Sequence, residues 1–229
     1  MQRKMIFGFI IFINTNVWFL DINCNFAHMN FPSKIFENAV DQLASLPGIG
    51  KKTALRLVLH LLNRKPSSVN TFGNAFIKLI NNINYCENCF SISEKNICDI
   101  CSDPKRDKST ICIVEDIRVM MAIENTMQYN GTYHILGGLI SPMDGVNPSD
   151  IRIGELLDRL NKDKINEVIF ALSTTMEGDT TNYYLYKKLE KFNVIVSSIA
   201  RGIAIGDELE YTDQITLGTA ISTRIPYSD

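Results

Sequence analysis

Four of the six cysteines form two Cys-x-x-Cys pairs, Cys86 with Cys89 and Cys98 with Cys101. Two such pairs this close in sequence can place four thiolates at the corners of a tetrahedron, the geometry that structural zinc prefers. The segment has little apolar content, so metal ligation would supply its folding free energy. A closed set of four ligands leaves no position for a reactive water, so the predicted Zn²⁺ is structural. Two alternatives remain open: a pair of disulfides, or iron held by the same thiolates.

A second motif, Leu46-Pro-Gly-Ile-Gly50, lies between two amphipathic stretches and predicts a helix-hairpin-helix. The glycines permit a tight turn, and the isoleucine anchors it in the helical core. The amides that open the second helix would then be exposed to a phosphate group. We predict that this module contacts a nucleic-acid backbone without reading base sequence, through Gly48, Ile49, Gly50, Lys51, Lys52 and Arg56. The alternative is a connector between helices with solvated lysines.

The charge distribution favours the nucleic-acid-binding interpretation. From Gln42 to Cys86 the chain has six basic residues and no acidic one. Because the net charge of all 229 residues is −2, the remainder of the chain sums to −8. A basic segment on an acidic protein indicates one surface directed at polyanions.

These motifs must be positioned by regular elements, which the apolar spacing predicts. Helices are expected at 33–46, 51–62 and 70–83, with Ser33 as the N-cap of the first and a turn at 66–68. His60 is expected to pack on the apolar face of the second helix. From Thr110 onwards, short apolar runs at 110–114, 133–136, 167–172 and 194–199 alternate with helical stretches at 116–128, 150–162 and 180–192. This alternation predicts a parallel sheet with helices on both faces.

Reduced, zinc-binding cysteines indicate a cytosolic protein, and the first residues of the sequence do not fit that expectation. Arg3 and Lys4 precede an uncharged run from Met5 to Leu20, which resembles a secretory signal, although polar residues interrupt it. We interpret Met29 as the natural start and residues 1–28 as an upstream extension of the reading frame, with a signal or anchor as the alternative. The expected location is the cytoplasm, in association with the nucleoid, without membrane attachment.

Several segments in this order resemble the bacterial RecR family of recombination mediators. They are LPGIGKKTALRLVLHLL (46–62), CENCFSISEKNICDICSDPKR (86–106), ICIVED (111–116), GGLISPMDGV (137–146), TTMEGDTTNYYL (174–185) and IARGIAIGDELEYTDQITLGTAI (199–221). The resemblance covers about residues 29 to 225. It implies a multidomain α/β chain: a helix-hairpin-helix domain at 29–84, a four-cysteine zinc finger at 85–106, a Toprim domain at 107–200 and a C-terminal segment at 201–229.

The resemblance also implies function. Members of this family assemble into ring-like homotetramers that encircle or clamp DNA. They work with RecO, and in many bacteria with RecF, to load RecA onto gapped or single-stranded DNA in recombinational repair. By motif, the basic pair that contacts DNA falls on Lys52 and Arg56, and the zinc ligands on the four paired cysteines. The Toprim acids fall on Glu115 and Glu177, with Asp116 and Asp179 beside them.

A Toprim domain raises the question of catalysis, since topoisomerases, primases and some nucleases share that fold. Their acids include an Asp-x-Asp pair and gather Mg²⁺ for phosphoryl transfer. No Asp-x-Asp occurs anywhere in this sequence. The four acids can hold Mg²⁺, serve a partner, or simply cap the helices that follow. We therefore expect a non-catalytic DNA-binding protein; the alternatives are a Mg²⁺-dependent Toprim nuclease or nicking enzyme and an RNA-binding protein.

Overall fold

The computed structural model describes residues 31–226. The predicted extension, residues 1–28, lies outside the described residues. The chain divides into two compact units, one ending at Phe72 and the other beginning at Gly73. None of the described helices is long and apolar enough to cross a membrane.

The first unit contains the predicted pair of helices, α1 (Lys34–Ala44) and α2 (Lys51–Leu62). As predicted, Ser33 is the N-cap of α1, its hydroxyl accepting a hydrogen bond from the Ile35 amide. A small core of buried residues holds the pair together, formed by Val40, Ala54 and Val58. The prediction that His60 is packed is wrong: it is exposed. Ala54 and Val58 are one helical turn apart and define the inward row, whereas His60, two residues beyond Val58, lies on nearly the opposite side of the helix.

Helix α3 (Pro66–Asn82) starts earlier than its apolar pattern indicates. The predicted turn at 66–68 is instead its first turn, with the Val69 amide bonded to the Lys65 carbonyl. Proline fits the first helical position because its fixed φ suits a helix and its missing N–H has no acceptor there. Pro66 therefore begins this helix.

The second unit combines a small two-stranded module with a four-stranded sheet. The module consists of antiparallel strands β1 (Asn84–Tyr85) and β2 (Ile92–Ser93) and the single-turn helix α4 (Asp99–Ser102). The sheet region follows in the predicted alternation: β3 (Asp107–Val114), α5 (Ile117–Asn125), β4 (Gly131–Ile135), α6 (Ile153–Lys162), β5 (Glu167–Ala171), α7 (Met176–Leu189) and β6 (Ile195–Ser198). The sheet order is β4-β3-β5-β6 and all pairs are parallel, as predicted. After β6, the described chain contains one further α-helix, α8 (Gln214–Ser222).

Both faces of the sheet are covered, because alternate residues of each strand point to opposite sides. On one face, Ile111, Ile113 and Val168 pack with leucines of α6 and α7. On the other face, Cys112 and Val114 pack with residues of α5 and with Phe90 and Ile100 of the two-stranded module. The module is therefore part of the sheet's core.

One glycine is required where α7 approaches the end of β5. A Cβ on Gly178 would lie 1.9 Å from the carbonyl oxygen of Ser173, a backbone atom that has little freedom to move. A Cβ on Gly154, in the first turn of α6, would have no atom within 4 Å.

These two glycines form a matched pair for a stability measurement. Gly178→Ala should lower the free energy of unfolding by about 2 kcal/mol or more, because the helix must shift away from Ser173. Gly154→Ala should leave stability unchanged or raise it by about 0.5 kcal/mol, because alanine restricts the unfolded chain. Urea unfolding of both variants tests this; equal effects would contradict the close approach.

A partly buried ion pair joins the start of β3 to α5. Arg106 donates to both carboxylate oxygens of Glu124, which also accepts a hydrogen bond of 2.6 Å from the Tyr133 hydroxyl. The hydrogen bonds from the Arg106 guanidinium are the largest effect and hold the pKa of Glu124 below its usual value of 4.5. Burial opposes them, and the Tyr133 hydroxyl adds a smaller lowering. A depressed carboxyl pKa stabilises the fold above the unfolded pKa, and that contribution disappears as the pH falls through the folded value.

Glu124→Gln keeps the shape of this side chain and removes its charge. The variant should be less stable than the parent at pH 7, on the order of 1 to 2 kcal/mol, because Arg106 loses its partner. The difference should shrink as the pH falls below about 4.5. Denaturation at pH 7 and pH 3.5 measures it, and a difference that does not depend on pH would rule out the ion pair as its source.

Candidate metal centre and nucleic-acid interface

The structure brings the four paired cysteines together in the two-stranded module. Their sulfur atoms all lie within 4.8 Å of one another, and all four side chains are buried. The first pair follows β1, where the Cys86 amide bonds to the Ser91 carbonyl and the Phe90 amide returns to the Cys86 carbonyl. The second pair is set by α4, of which Cys98 is the N-cap. Two tight backbone turns thus aim four thiols at one point.

The cluster has the dimensions of a tetrahedral zinc site. A Zn–S distance of 2.3 Å places neighbouring sulfurs about 3.8 Å apart; Cys89 Sγ and Cys98 Sγ are 3.5 Å apart. Backbone amides of Cys98 and Cys101 donate to sulfurs of the cluster, which favours thiolates. The five cysteines of the described chain are all free, so the structure contains no disulfide among them. Zinc in such a closed site would be structural.

The thiols are electrostatically coupled. Hydrogen bonds from Cys101, and then from Cys89, lower the pKa of Cys98 to about 2. Hydrogen bonds of Cys89 with Cys101, the largest effect, and with Cys98, followed by burial, raise the pKa of Cys89 far above its usual value. The four thiols therefore do not ionise independently of one another. A divalent cation at the centre would provide the compensating charge, which couples metal binding to folding and to proton release.

The cysteine module is fixed to the sheet by two arginines and a backbone bond. The amide of Ile135, on β4, donates to the Cys89 carbonyl at 2.9 Å. Arg159 of α6 donates to the Asn88 carbonyl at 3.3 Å and to the Tyr133 carbonyl at 2.7 Å. The guanidinium of Arg152 lies 4.9 Å from the ring centre of Phe90. Sequence reasoning missed both arginines, since no local pattern marks a contact made sixty to seventy positions away.

The predicted hairpin has the geometry that its motif requires. Gly48 has φ of +79°, a conformation that disfavours side chains. The Ile49 amide bonds to the Leu46 carbonyl at 3.1 Å, and Ile49 packs against the core of α1 and α2. Gly50 is the N-cap of α2 and contributes no side-chain acceptor. The first amides of α2 therefore have no intrahelical partner and are suited to an anionic one.

The basic side chains of α2 differ in their surroundings. Lys51 Nζ lies 3.3 Å from Asp41 Oδ1, so its charge is partly neutralised within the unit. Lys52 and Arg56 are exposed and four residues apart, and neither makes an ion pair within residues 31–226. Their charges are therefore not offset by an acidic side chain within residues 31–226.

The predicted Toprim acids follow the carboxyl ends of β3 and β5, but they differ in their partners and in their burial. Asp116 is the N-cap of α5 and pairs with Arg118, which lowers the pKa of its carboxyl group. Asp179 pairs with Arg201 at 2.5 Å, which lowers its pKa likewise. Glu115 and Glu177 are half-buried. Within residues 31–226, the only set of three or more potential metal ligands drawn together is the cysteine cluster.

Metal removal tests the cysteine site. Cys89→Ser should release bound zinc and lower stability by several kcal/mol, because three thiols no longer close the site. Cys112→Ser is the matched control, since Cys112 is buried between the sheet and α5 and should keep the metal. Zinc content per chain and thermal unfolding are the measurements. A Cys89→Ser variant with full metal content would show that the cluster is not the ligand set.

Comparison with known proteins agrees with this arrangement. Four family models match along the chain: RecR helix-hairpin-helix at residues 36–79, the RecR zinc finger domain of the four-cysteine type at 83–103, Toprim domain at 109–200 and RecR C-terminal at 202–225. Many curated relatives also match.

Relatives named Recombination protein RecR include the following three. That of Porphyromonas gingivalis is 56% identical over 199 residues, which cover 87% of this chain and 96% of the relative. That of Bacteroides thetaiotaomicron is 56% identical over 197 residues, with coverage of 86% and 96%. That of Flavobacterium johnsoniae is 53% identical over 199 residues, with coverage of 87% and 97%. With this identity over nearly the whole of each relative, the chain belongs to the RecR family of recombination proteins.

Proposed function

We propose that this protein is a non-catalytic mediator of recombinational DNA repair that clamps gapped or single-stranded DNA. In this role it works with RecO, and with RecF where that partner exists, to help load RecA. The observation that carries the proposal is the hairpin of the first unit. Its uncapped helix start and two unpaired cations form a contact for the phosphate backbone.

The hairpin suits binding that does not depend on base sequence. Lys52 and Arg56 share one face of α2, beside amides that have no side-chain cap. Lysine, arginine and backbone amides contact phosphates, which position a protein on DNA and carry no sequence information. One such module binds weakly and loses affinity as salt rises.

Assembly would turn weak contacts into a clamp. The described chain leaves large apolar side chains exposed on α2 and α8, including Leu62, Ile215 and Ile221. Contiguous apolar patches mark interaction sites, and these side chains could contribute to one between copies of the chain. We infer a homotetramer in which several hairpins hold one DNA molecule, so that affinity rises by multivalency without new kinds of contact.

The acids at the carboxyl end of the sheet support a binding role more than a catalytic one. Asp116 and Asp179 are engaged by arginines, and Asp116 also caps a helix. Glu115 and Glu177 make no ion pair within the described chain, which leaves two carboxylates for a basic surface such as that of RecO. Mg²⁺ at these two acids is the alternative, and it would favour a Toprim nuclease or nicking enzyme.

The hairpin variant Lys52→Glu with Arg56→Glu should weaken binding to a gapped duplex at least about tenfold at ~0.1 M salt, because two phosphate contacts become repulsive. Lys188→Glu with Lys191→Glu makes the same change of charge on and just beyond α7 and should bind normally. Gel shifts and size measurements on the full chain test both variants. Undiminished binding by the hairpin variant would make the hairpin a connector.

The same DNA, incubated with the protein and Mg²⁺ and read on a denaturing gel, tests the absence of catalysis. Intact strands are expected. Nicked or cut strands that disappear in Glu115→Ala would show a Toprim enzyme instead.

A further inference from the structure

A cavity of about 620 Å³ lies at the amino-terminal edge of the sheet, at the opposite end of the strands from the Toprim acids. The first residues of two strands contribute Lys108 and Thr132 to its wall. Lys164, just before β5, and Lys162, at the end of α6, form another side, and Asn88 of the cysteine module closes it. Neither the hairpin nor the acids belong to this cavity.

The cavity concentrates positive charge. Lys108, Lys162 and Lys164 are exposed, and none of them makes an ion pair within residues 31–226. Arg159 adds a fourth cation whose side chain is only 10% exposed. The one acid in the lining is Asp163, at 3.4 Å from Arg159 Nε. The lysine, arginine and aspartate side chains of the lining thus sum to three positive charges, in a chain whose net charge is −2. Cys101 of the candidate metal centre also lies in the lining.

Arg159 gives the cavity a rigid back wall. Its guanidinium donates to Tyr133 O at 2.7 Å and to Thr132 Oγ1 at 2.8 Å, besides Asn88 O at 3.3 Å. These three acceptors are neutral, so they fix the group in place without offsetting its charge, and only the ion pair with Asp163 does so in part. A fixed cation at the back of a concave surface strengthens the field felt by an anion at its mouth. The three lysines, on flexible stems, can then close around that anion.

The lining selects among ligand classes. It contains no aromatic ring, so it provides no stacking platform for a base. Its charge repels metal cations. Ammonium groups together with amide and hydroxyl donors suit phosphate oxygens. The volume far exceeds that of one phosphate group, so consecutive phosphates of an extended strand fit it better than a single ion does.

We propose that this cavity is a second contact for the phosphate backbone of DNA, formed by Lys108, Lys162 and Lys164 around Arg159. The inference rests on the proposed function, because it assumes that the protein binds DNA. It adds a site that sequence reasoning did not single out, since the three lysines come together only when the starts of β3 and β5 pair with each other.

Neutralising the three lysines tests the site. In Lys108→Gln, Lys162→Gln, Lys164→Gln, affinity for single-stranded DNA should fall, and the slope of log affinity against log salt should become less steep by about 2, since each lost contact removes about 0.7. Lys187→Gln, Lys188→Gln, Lys191→Gln removes the same charge on and beside α7 and should keep the parent's slope. Both variants are made in the full chain, and thermal unfolding confirms that each is folded.

Two further experiments distinguish an error in the proposed function from an error in the second contact. Lys52→Glu with Arg56→Glu reports on the hairpin alone. If the hairpin variant loses DNA binding while the cavity variant keeps the parent's slope, the proposed function stands and the second contact is wrong. Titration with inorganic tripolyphosphate identifies the source of the phosphate. If tripolyphosphate binds through the three lysines but DNA does not displace it, the cavity serves small phosphate compounds and the inference is overturned.

Discussion

The second unit depends on one constraint: four thiols must converge within a segment that has almost no apolar core of its own. Between β1 and α4, the four cysteines are themselves the buried cluster, supported by partly buried Ile97 and Ile100. Ligand bonds to a metal replace the burial that larger domains use. Once formed, the module contributes Phe90 and Ile100 to one face of the parallel sheet. Closure of the metal site and packing of the sheet are therefore linked.

The charged side chains divide into two groups. The cations of the hairpin and those at the amino-terminal edge of the sheet are mostly left without acidic partners, whereas arginines elsewhere are used within the fold. Arg106 holds Glu124, Arg118 holds Asp116, and Arg201 holds Asp179. Because the protein as a whole is slightly acidic, nonspecific attraction to polyanions is weak, and DNA would be drawn to particular surfaces.

Much of the architecture could be predicted because it follows from local periodicity. The alternation of short apolar runs with helical stretches predicted the parallel sheet, and the hairpin motif predicted where α2 starts. The predictions for Pro66 and His60 were wrong for local reasons too. Pro66 was interpreted as part of a turn, although proline suits the first turn of a helix. The buried face of α2 is narrower than predicted and does not include His60.

The candidate sites were less predictable, because their contacts join distant parts of the chain. The spacing of the paired cysteines was enough to predict their cluster. In contrast, the pairing of Asp179 with Arg201 and the contacts of Arg152 and Arg159 with the cysteine module have no signature in sequence spacing. The acids at the strand ends could be placed on the sheet, but not assigned to capping, pairing or exposure.

The hydrogen bond from the Ile135 amide to the Cys89 carbonyl protects one edge of the sheet against aggregation. Strand β4 is at the border of the sheet, and its inner side is already paired with β3. Within the described chain, the cysteine module covers the outer side at this point. An uncovered border strand offers unpaired backbone groups to the same strand of another molecule. Depletion of zinc would thus expose this edge of β4 and promote aggregation through strand pairing between chains.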